Sequence, residues 1–307
     1  MNNTTDNKRN ADDDTNGEHN TTPTLLSHSL THSTTNTTST IPTTVFSLPT
    51  TISTLSLTPT PSLTPTLTHT HPPAGSGPSF YNWIDIFPEL GIFLEENNFA
   101  DVVEEAKSVP QWTPWPESHF SKNGAIDWTV FPFLHTFPAF EISKKTYVNT
   151  TCEYCPKTVE LLKKIPNIRT ALFSRLGLGT KLNPHTGWED LANHVLRCHV
   201  SLVVPENQSC GLWVDNVEQY HKEGNIIVFD DSKTHLAFNR IPGELDGEYD
   251  DDDQQAVDGS KSFSPEDREK TDRIVLIIDI MRPPHLPLGN AKGGHTPELD
   301  GFISQFR

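Results

Sequence analysis

Short runs of apolar residues, separated by polar and turn-forming residues, dominate the second half of the chain. Each run is bounded by Gly, Pro, Asn or Asp, which is typical of β-strands. The pattern predicts strands at Thr170–Leu178, Leu196–Val204, Gly211–Val214, Asn225–Phe229 and Arg273–Ile280. Because regular helices do not alternate with these strands, we expect a mainly β fold, an antiparallel sandwich or barrel.

Two segments before the strands have helical spacing instead. The apolar residues of Ile84–Lys107 recur at roughly helical intervals, which predicts two short helices. Pro156–Ile165 places its apolar residues on one face behind an N-terminal proline, which predicts an amphipathic helix. Between them, Trp and Phe are interleaved with Pro in residues 112–133. That composition indicates irregular strands that seal one face of a core.

Composition divides the chain into parts with different expected order. Residues 1–79 consist almost entirely of Thr, Ser, Pro, Asn and His, with scattered Leu. They carry too little apolar surface to offset the entropy cost of ordering, so we predict a disordered tail. Residues 80–307 have the composition of a globular domain. Within them we expect residues 242–272 to form a flexible acidic insertion, and the segment after Arg282 to form a tail.

The net charge of -17 argues against a nucleic-acid partner. Much of this charge is local, because residues 244–272 contain twelve acidic and three basic residues. The acidity therefore belongs mostly to the predicted insertion and says little about a substrate.

The cysteines and the apolar runs bear on the compartment. The four cysteines are too few for a disulfide scaffold. Cys152 and Cys155 have the spacing of half a zinc site, but no second pair has suitable spacing, so we expect a local disulfide or free thiols. No apolar run is long enough to span a membrane, and the N-terminus lacks the apolar core of a signal peptide. We therefore expect a cytoplasmic protein.

Histidines at the two ends of the central β unit are the first candidates for chemistry. His185 precedes the unit and His235 follows it, so antiparallel strands would bring the two rings together. Two imidazoles suit a first-row metal, but Gly187 stands where the His-x-Asp pattern of iron oxygenases supplies a carboxylate. On the strand between them, Arg197 and His199 share one face, and the opposite face is apolar. From these residues alone, surface or core roles for the histidines remain open.

Several uncommon motifs, in order and at matching spacing, resemble the aspartyl/asparaginyl β-hydroxylase family of Fe(II)/2-oxoglutarate oxygenases. The similarity extends over roughly residues 85–282. The long acidic insertion before Arg273 departs from the family, where that connection is usually short. The segments that carry the resemblance are Pro156-Lys-Thr with Leu161-Leu162, Ser174, Pro184-His185-Thr186-Gly187, Leu196-Arg197-Cys198-His199, Leu202-Val203-Val204-Pro205, Glu223-Gly224, Phe229-Asp230-Asp231-Ser232, His235, and Arg273 within Arg-Ile-Val-Leu-Ile-Ile-Asp.

The resemblance implies a double-stranded β-helix, also called a jelly-roll barrel, with flanking N-terminal helices. It also implies an iron held by two histidines and no carboxylate, in which case Gly187 is expected. By this resemblance, His185 and His235 bind Fe(II). Ser174 and Arg273 bind the distal carboxylate of 2-oxoglutarate, and its other carboxylate lies near Arg197 and His199.

Neighbouring acidic residues allow other interpretations. Asp230, Asp231 and Ser232 could be ligands, but a turn that orients His235 is the expected role. Glu189 and Asp190 follow His185 closely, and we expect both to point outward. Ser174, taken alone, fits an ordinary strand serine.

The implied activity is O₂-dependent hydroxylation of the β-carbon of Asp or Asn side chains in a peptide or protein substrate. One alternative is an oxygenase of the same fold that acts on a lipid or small metabolite. Another is a non-catalytic barrel, but that interpretation predicts damaged ligands, whereas the histidines, Ser174 and Arg273 are all present.

Overall fold

The computed structural model describes residues 72–120, 127–205, 209–241, 268 and 270–306. The predicted disordered tail, apart from residues 72–79, and nearly all of the predicted acidic insertion lie outside these described residues. Within the described part of the tail, the Gly75 N–H donates a hydrogen bond to the Leu288 carbonyl at 2.7 Å.

Twelve strands of the described chain form two antiparallel sheets. The larger sheet has the order β1-β10-β7-β12-β5-β3-β2, with β4 also paired to β3, and the smaller has the order β6-β11-β8-β9. In chain order the strands are β1 (Phe80–Tyr81), β2 (Thr113–Pro114), β3 (Trp128–His135), β4 (Thr146–Tyr147), β5 (Ile168–Leu176), β6 (Thr180–Lys181), β7 (Val195–Val203), β8 (Cys210–Val214), β9 (Val217–Tyr220), β10 (Ile226–Phe229), β11 (His235–Asn239) and β12 (Arg273–Met281).

The helices are short and most of them precede β7. They are α1 (Trp83–Ile86), α2 (Glu96–Lys107), α3 (Asn149–Cys152), α4 (Pro156–Lys164), α5 (Glu189–Ala192) and α6 (Pro297–Ser304), and 3₁₀ turns cover Pro88–Leu94, Ser118–Phe120 and Ile142–Lys144. The predicted helices correspond to α1, α2 and α4. By contrast, part of the predicted C-terminal tail is the regular helix α6.

Along the long strands, apolar and polar residues alternate, so that they lie on opposite sides of the larger sheet. The outer side is apolar and packs under the helices, with Cys198, Val200 and Leu276 in one core together with Val102 of α2 and Leu162 of α4. The inner side carries the polar residues, because Arg197 and His199 of β7 alternate with that apolar set. The predicted face assignment of β7 is therefore confirmed.

The inner side of the larger sheet faces the smaller sheet. A second core joins Leu176 and Phe229 of the larger sheet to Leu212, Val214 and Phe238 of the smaller one. Two antiparallel sheets closed face to face form the predicted double-stranded β-helix, so the space between them is the interior of a barrel.

Two further findings concern predictions from composition. All four cysteines are free thiols. Of the two expectations for Cys152 and Cys155, the structure therefore has free thiols and not a local disulfide. Among the described residues, no helix combines the length and apolarity that crossing a bilayer would need.

A candidate metal and carboxylate site inside the barrel

The structure brings His185 and His235 together at one end of the barrel. The two residues form an isolated antiparallel bridge, in which each backbone N–H donates to the other residue's carbonyl at 2.9 and 2.8 Å. Their ring centroids are 4.3 Å apart. Fifty residues separate them in sequence. They come together because β11 pairs with β6, and the segment that follows β6 continues alongside β11 to the His185–His235 bridge.

The hydrogen bonds of the two rings leave one nitrogen of each available for a ligand. The Nδ1 atom of His185 lies 2.7 Å from the Asn183 carbonyl, and that of His235 lies 2.8 Å from the Lys233 carbonyl. A carbonyl only accepts, so in a neutral ring Nδ1 carries the proton and Nε2 keeps its lone pair. Backbone carbonyls behind metal-binding histidines fix the same tautomer.

Both rings are held in the neutral form. Burial lowers the pKa of His235 to about 4. Burial, followed by the neighbouring His235, lowers the pKa of His185 well below its usual value. A neutral imidazole is the form that binds a metal, so the pair fits a divalent metal such as Fe(II).

Asp231 supplies a carboxylate beside this pair. Its Oδ1 lies 3.3 Å from Nε2 of His235 and 2.6 Å from Nη1 of Arg197. A Cβ atom on Gly187 would stand 2.0 Å from Oδ2 of Asp231, so the carboxylate fills the space that a side chain at position 187 would take. Among the described residues, no group of three or more His, Cys, Asp and Glu has the geometry of a complete metal site. The arrangement is therefore two histidines with a carboxylate nearby.

The turn that precedes His235 is held by Asp230. Its Oδ1 accepts hydrogen bonds from the N–H and the hydroxyl of Ser232 at 3.0 and 2.6 Å. The buried Arg282 guanidinium pairs with the same carboxylate. Asp230 thus forms the predicted Asx turn, and Arg282 fixes it to the larger sheet.

Arg197 is neutralised by the protein itself. Its Nε and Nη2 contact the two oxygens of Asp279 at 2.8 and 3.0 Å, and its Nη1 contacts Asp231. Asp279 also accepts from the Thr170 hydroxyl. Burial opposes the charge of Arg197, but both carboxylates outweigh it and raise the pKa of the guanidinium. Arg197 therefore anchors Asp231 beside the histidines.

Arg273 differs from Arg197 because no carboxylate pairs with it in the described chain. It is 1% exposed, and its Nε and Nη1 have no hydrogen-bond partner. Nη2 lies 3.5 Å from the Ser174 hydroxyl oxygen, which also accepts from the Trp128 indole at 3.0 Å. Burial lowers the pKa of Arg273 to about 10. A buried guanidinium with open donors fits an anionic ligand, as a carboxylate of 2-oxoglutarate would be.

Two histidines stand beside this guanidinium, and only one was predicted. His199 is 3% exposed and neither ring nitrogen has a hydrogen-bond partner. His221 stacks on it with ring centroids 5.6 Å apart. The sequence analysis missed His221 because it lies in the turn after β9, outside any alternating pattern.

An apolar cavity opens next to His185 and Arg197. Trp115 stacks on Trp128 with centroids 4.5 Å apart, and Trp188 follows at 6.0 Å from Trp115. Helix α6 contributes the far wall through Leu299, Phe302 and Ile303, with Phe306 just beyond its end. Of the described residues that line the cavity, Arg197 is the only Arg or Lys.

The residues Glu189 and Asp190 lie away from the histidine pair. Glu189 is exposed at the start of α5. Asp190 lies 3.1 Å from Nε2 of His295 in the segment before α6. The contact of Asp190 is therefore with His295 and not with the histidine pair.

Comparisons with known proteins give matches to hydroxylases and oxygenases. Residues 96–244 match the family model described as aspartyl/asparaginyl beta-hydroxylase. An ornithine lipid ester-linked acyl 2-hydroxylase from Rhizobium tropici is 41% identical over 86 residues, which are 28% of this chain and 30% of that protein. The aspartyl/asparaginyl beta-hydroxylase of Homo sapiens is 35% identical over 89 residues, 27% of this chain and 11% of that protein.

A solved structure of a 2OG-Fe(II) oxygenase family oxidoreductase from Burkholderia pseudomallei covers 64% of this chain and 84% of its own, at 10% identity and a TM-score of 0.38. The chain spans less than a third of the length of the Rhizobium and human relatives.

Proposed function

Residues 96–244 match the aspartyl/asparaginyl β-hydroxylase family model, and from that match we propose that the chain belongs to this family and is an Fe(II)/2-oxoglutarate-dependent dioxygenase. The observation that carries the proposal is the pairing of two kinds of site in one barrel. Two neutral histidines have ring centroids 4.3 Å apart and use Nδ1, not Nε2, for their backbone hydrogen bonds, and a buried guanidinium with no carboxylate partner among the described residues lies in the same barrel.

Each part of the site has a role in this proposal. His185 and His235 hold Fe(II), with Asp231 beside them fixed by Arg197. Arg273 and Ser174 bind the distal carboxylate of 2-oxoglutarate, and the open ring nitrogens of His199 serve the co-substrate. Together, Fe(II), 2-oxoglutarate and O₂ supply the oxidising power that hydroxylates a substrate C–H bond while the keto acid is converted to succinate and CO₂.

The first candidate substrate is the β-carbon of an Asp or Asn side chain in a peptide or protein. The family description and the name of the human relative favour it. The net charge of -17 is unsuited to nucleic acid, so a peptide is the expected macromolecular partner.

The cavity favours a second candidate, a lipid acyl chain. Its walls are mainly aromatic and aliphatic, which suits a hydrocarbon more than a charged side chain. Its Arg197 is already paired with Asp231 and Asp279, so a substrate carboxylate would find no open Arg or Lys among the described lining residues. The Rhizobium relative is named as an acyl hydroxylase.

A succinate assay under matched conditions separates these candidates. Purified chain with ferrous iron, 2-oxoglutarate and O₂ is given either Asp- and Asn-containing peptides or ester-linked acyl lipids in micelles. Substrate-dependent succinate and a product heavier by one oxygen in either arm support the dioxygenase and identify the substrate class. Absence of both products in both arms, from protein that has bound its metal, would contradict the proposal.

A further inference from the structure

Around Arg273, buried polar side chains with atoms that lack a hydrogen-bond partner come from both sheets. Arg273, Ser174 and His199 all belong to the larger sheet, on the adjacent strands β12, β5 and β7. His221 follows β9 of the smaller sheet, and its backbone N–H donates a hydrogen bond to the Cys210 carbonyl of β8 at 2.9 Å. It is therefore the member of the cluster that comes from the facing wall.

His221 is buried and one of its nitrogens has no partner. The side chain is 1% exposed, and Nε2 makes no hydrogen bond. A buried polar atom without a partner costs on the order of 1–3 kcal/mol, so such atoms are uncommon unless a ligand or water completes them. His199, against which His221 stacks, likewise has no hydrogen-bond partner at either ring nitrogen.

The other nitrogen of His221 is held by Ser201. The Nδ1 atom lies 2.9 Å from the Ser201 hydroxyl oxygen. When that hydroxyl donates to Nδ1, the neutral ring carries its proton on Nε2 and becomes a hydrogen-bond donor there. Burial and the positive charge of Arg273 lower the pKa of His221, which keeps the ring neutral.

We propose that His221 is a co-substrate-binding residue that closes the Arg273 pocket from the opposite wall and donates its Nε2–H to the distal carboxylate of 2-oxoglutarate. The inference rests on the proposed function, and it adds a residue that the family resemblance did not assign. A dicarboxylate buried beside a single guanidinium needs further donors to replace its water. Ser174 supplies one donor group from the larger sheet, and His221 supplies another from the smaller sheet.

A pair of amide substitutions isolates the Nε2 donor. In His221→Gln, the side-chain NH₂ reaches the region of Nε2, so the donor is kept. In His221→Asn, the shorter amide stays near Nδ1 and Ser201, so the donor to the ligand is lost. Both variants are polar and smaller than or similar to histidine, and metal affinity measured with Mn²⁺ alone reports whether the site is still folded.

The readout is the dissociation constant of 2-oxoglutarate, measured by calorimetry on the Mn²⁺-loaded full chain without turnover. We expect His221→Asn to weaken 2-oxoglutarate about tenfold or more, as expected for a lost bond to a charged group, and His221→Gln to stay within about threefold of the wild type. Pyruvate, which has the keto acid but no distal carboxylate, should bind both variants like the wild type.

Each other outcome has a definite meaning. Equal 2-oxoglutarate affinity in wild type and His221→Asn overturns the role of His221 while leaving the oxygenase proposal standing. Equal weakening of pyruvate and 2-oxoglutarate also overturns it, because a contact to the distal carboxylate cannot affect pyruvate. Failure of the metal-loaded wild type to bind 2-oxoglutarate overturns the proposed function itself, and the inference with it.

Discussion

At the scale of single residues, the site depends on close approaches that tolerate little change. Gly187 is the sharpest case, since a Cβ atom there would lie 2.0 Å from Asp231 Oδ2 and 2.7 Å from the Cβ of Ala192. Ala192 belongs to the short helix α5, so it cannot simply rotate away as a long side chain would. The Asp231 carboxylate must then leave its contact with Arg197.

We therefore predict that Gly187→Ala lowers metal affinity and destabilises the fold by about 1–3 kcal/mol, the usual cost of overpacking. Chemical denaturation and Mn²⁺ binding measure the two effects. Gly294→Ala is the matched control, because a Cβ there meets no atom within 4 Å. Equal stability and metal affinity in both variants would show that Asp231 does not need the space beside Gly187.

Arg273 and Arg197 both lie on the inner face, Arg273 fully buried and Arg197 partly buried, but they differ in partners. Arg197 contacts Asp231 and Asp279, and Arg273 contacts no carboxylate among the described residues. We predict that Arg273→Lys, which keeps the charge but loses the forked donors, weakens 2-oxoglutarate by about tenfold or more and leaves Mn²⁺ affinity unchanged. Calorimetry of both ligands checks it, and unaltered 2-oxoglutarate affinity would remove Arg273 from the pocket.

Most of the residues that line the site follow from the sequence, and the exceptions have physical reasons. Alternation along β7 and β12 is enough to place Arg197, His199 and Arg273 on an inner face, because a strand sends every second side chain to one side. His221 has no such signal, since it lies in a turn and becomes buried only when the smaller sheet closes over the larger one. Its burial depends on tertiary contacts that local patterns do not encode.

At the scale of elements, helix α6 forms one wall of the cavity beside His185 and Arg197. Its N-terminus is capped by Thr296, whose hydroxyl accepts from the Leu299 N–H at 3.2 Å and donates to the buried Glu117 at 2.8 Å. Glu117 also accepts from the Trp115 indole at 3.2 Å, which ties the helix to the aromatic wall. The sequence Thr-Pro-Glu-Leu before an apolar pair is a helix-start signal, so α6 could have been predicted from capping chemistry.

His295 gives the stability of the α6 region a small dependence on pH. Burial lowers the pKa of this histidine, but Asp190 and Asp300, at 3.1 and 3.2 Å, outweigh burial and the pKa lies above its usual value. A raised folded-state pKa means that this contribution to stability is complete below the unfolded pKa and is lost as pH rises through the folded one. Because Asp300 is 66% exposed, we expect a contribution well under 1 kcal/mol.

We predict that the stability difference between wild type and His295→Gln is largest at acidic pH and falls to a constant value, set by packing, as pH rises past the folded pKa of His295. Thermal unfolding across that range gives the difference. A stability difference that does not change with pH would mean that the ion pairs with Asp190 and Asp300 contribute nothing.

At the scale of the whole molecule, each of the two sheets contributes a different part of the candidate site. The larger sheet carries its structural core on the outside, under the helices, and its polar residues on the inside. The smaller sheet supplies His235 and borders His221, so each half of the site is completed only when the sheets close. The pattern of apolar residues was sufficient to predict an antiparallel sandwich or barrel, and the family resemblance then implied the double-stranded β-helix. It could not predict that the cavity beside the histidines is lined mainly by apolar side chains, because that depends on how α6 folds back.

The central claim is that His185 and His235 jointly hold one metal ion. The most direct measurement is equilibrium binding of Fe(II) or Mn²⁺ under anaerobic conditions to wild type, His185→Ala, His235→Ala and His285→Ala, the last being an exposed histidine that serves as control. The account predicts one ion per chain in wild type and in the control, and a loss of affinity of about a hundredfold or more in each of the other two, as for a removed ligand. Undiminished metal binding in both His185→Ala and His235→Ala would contradict it.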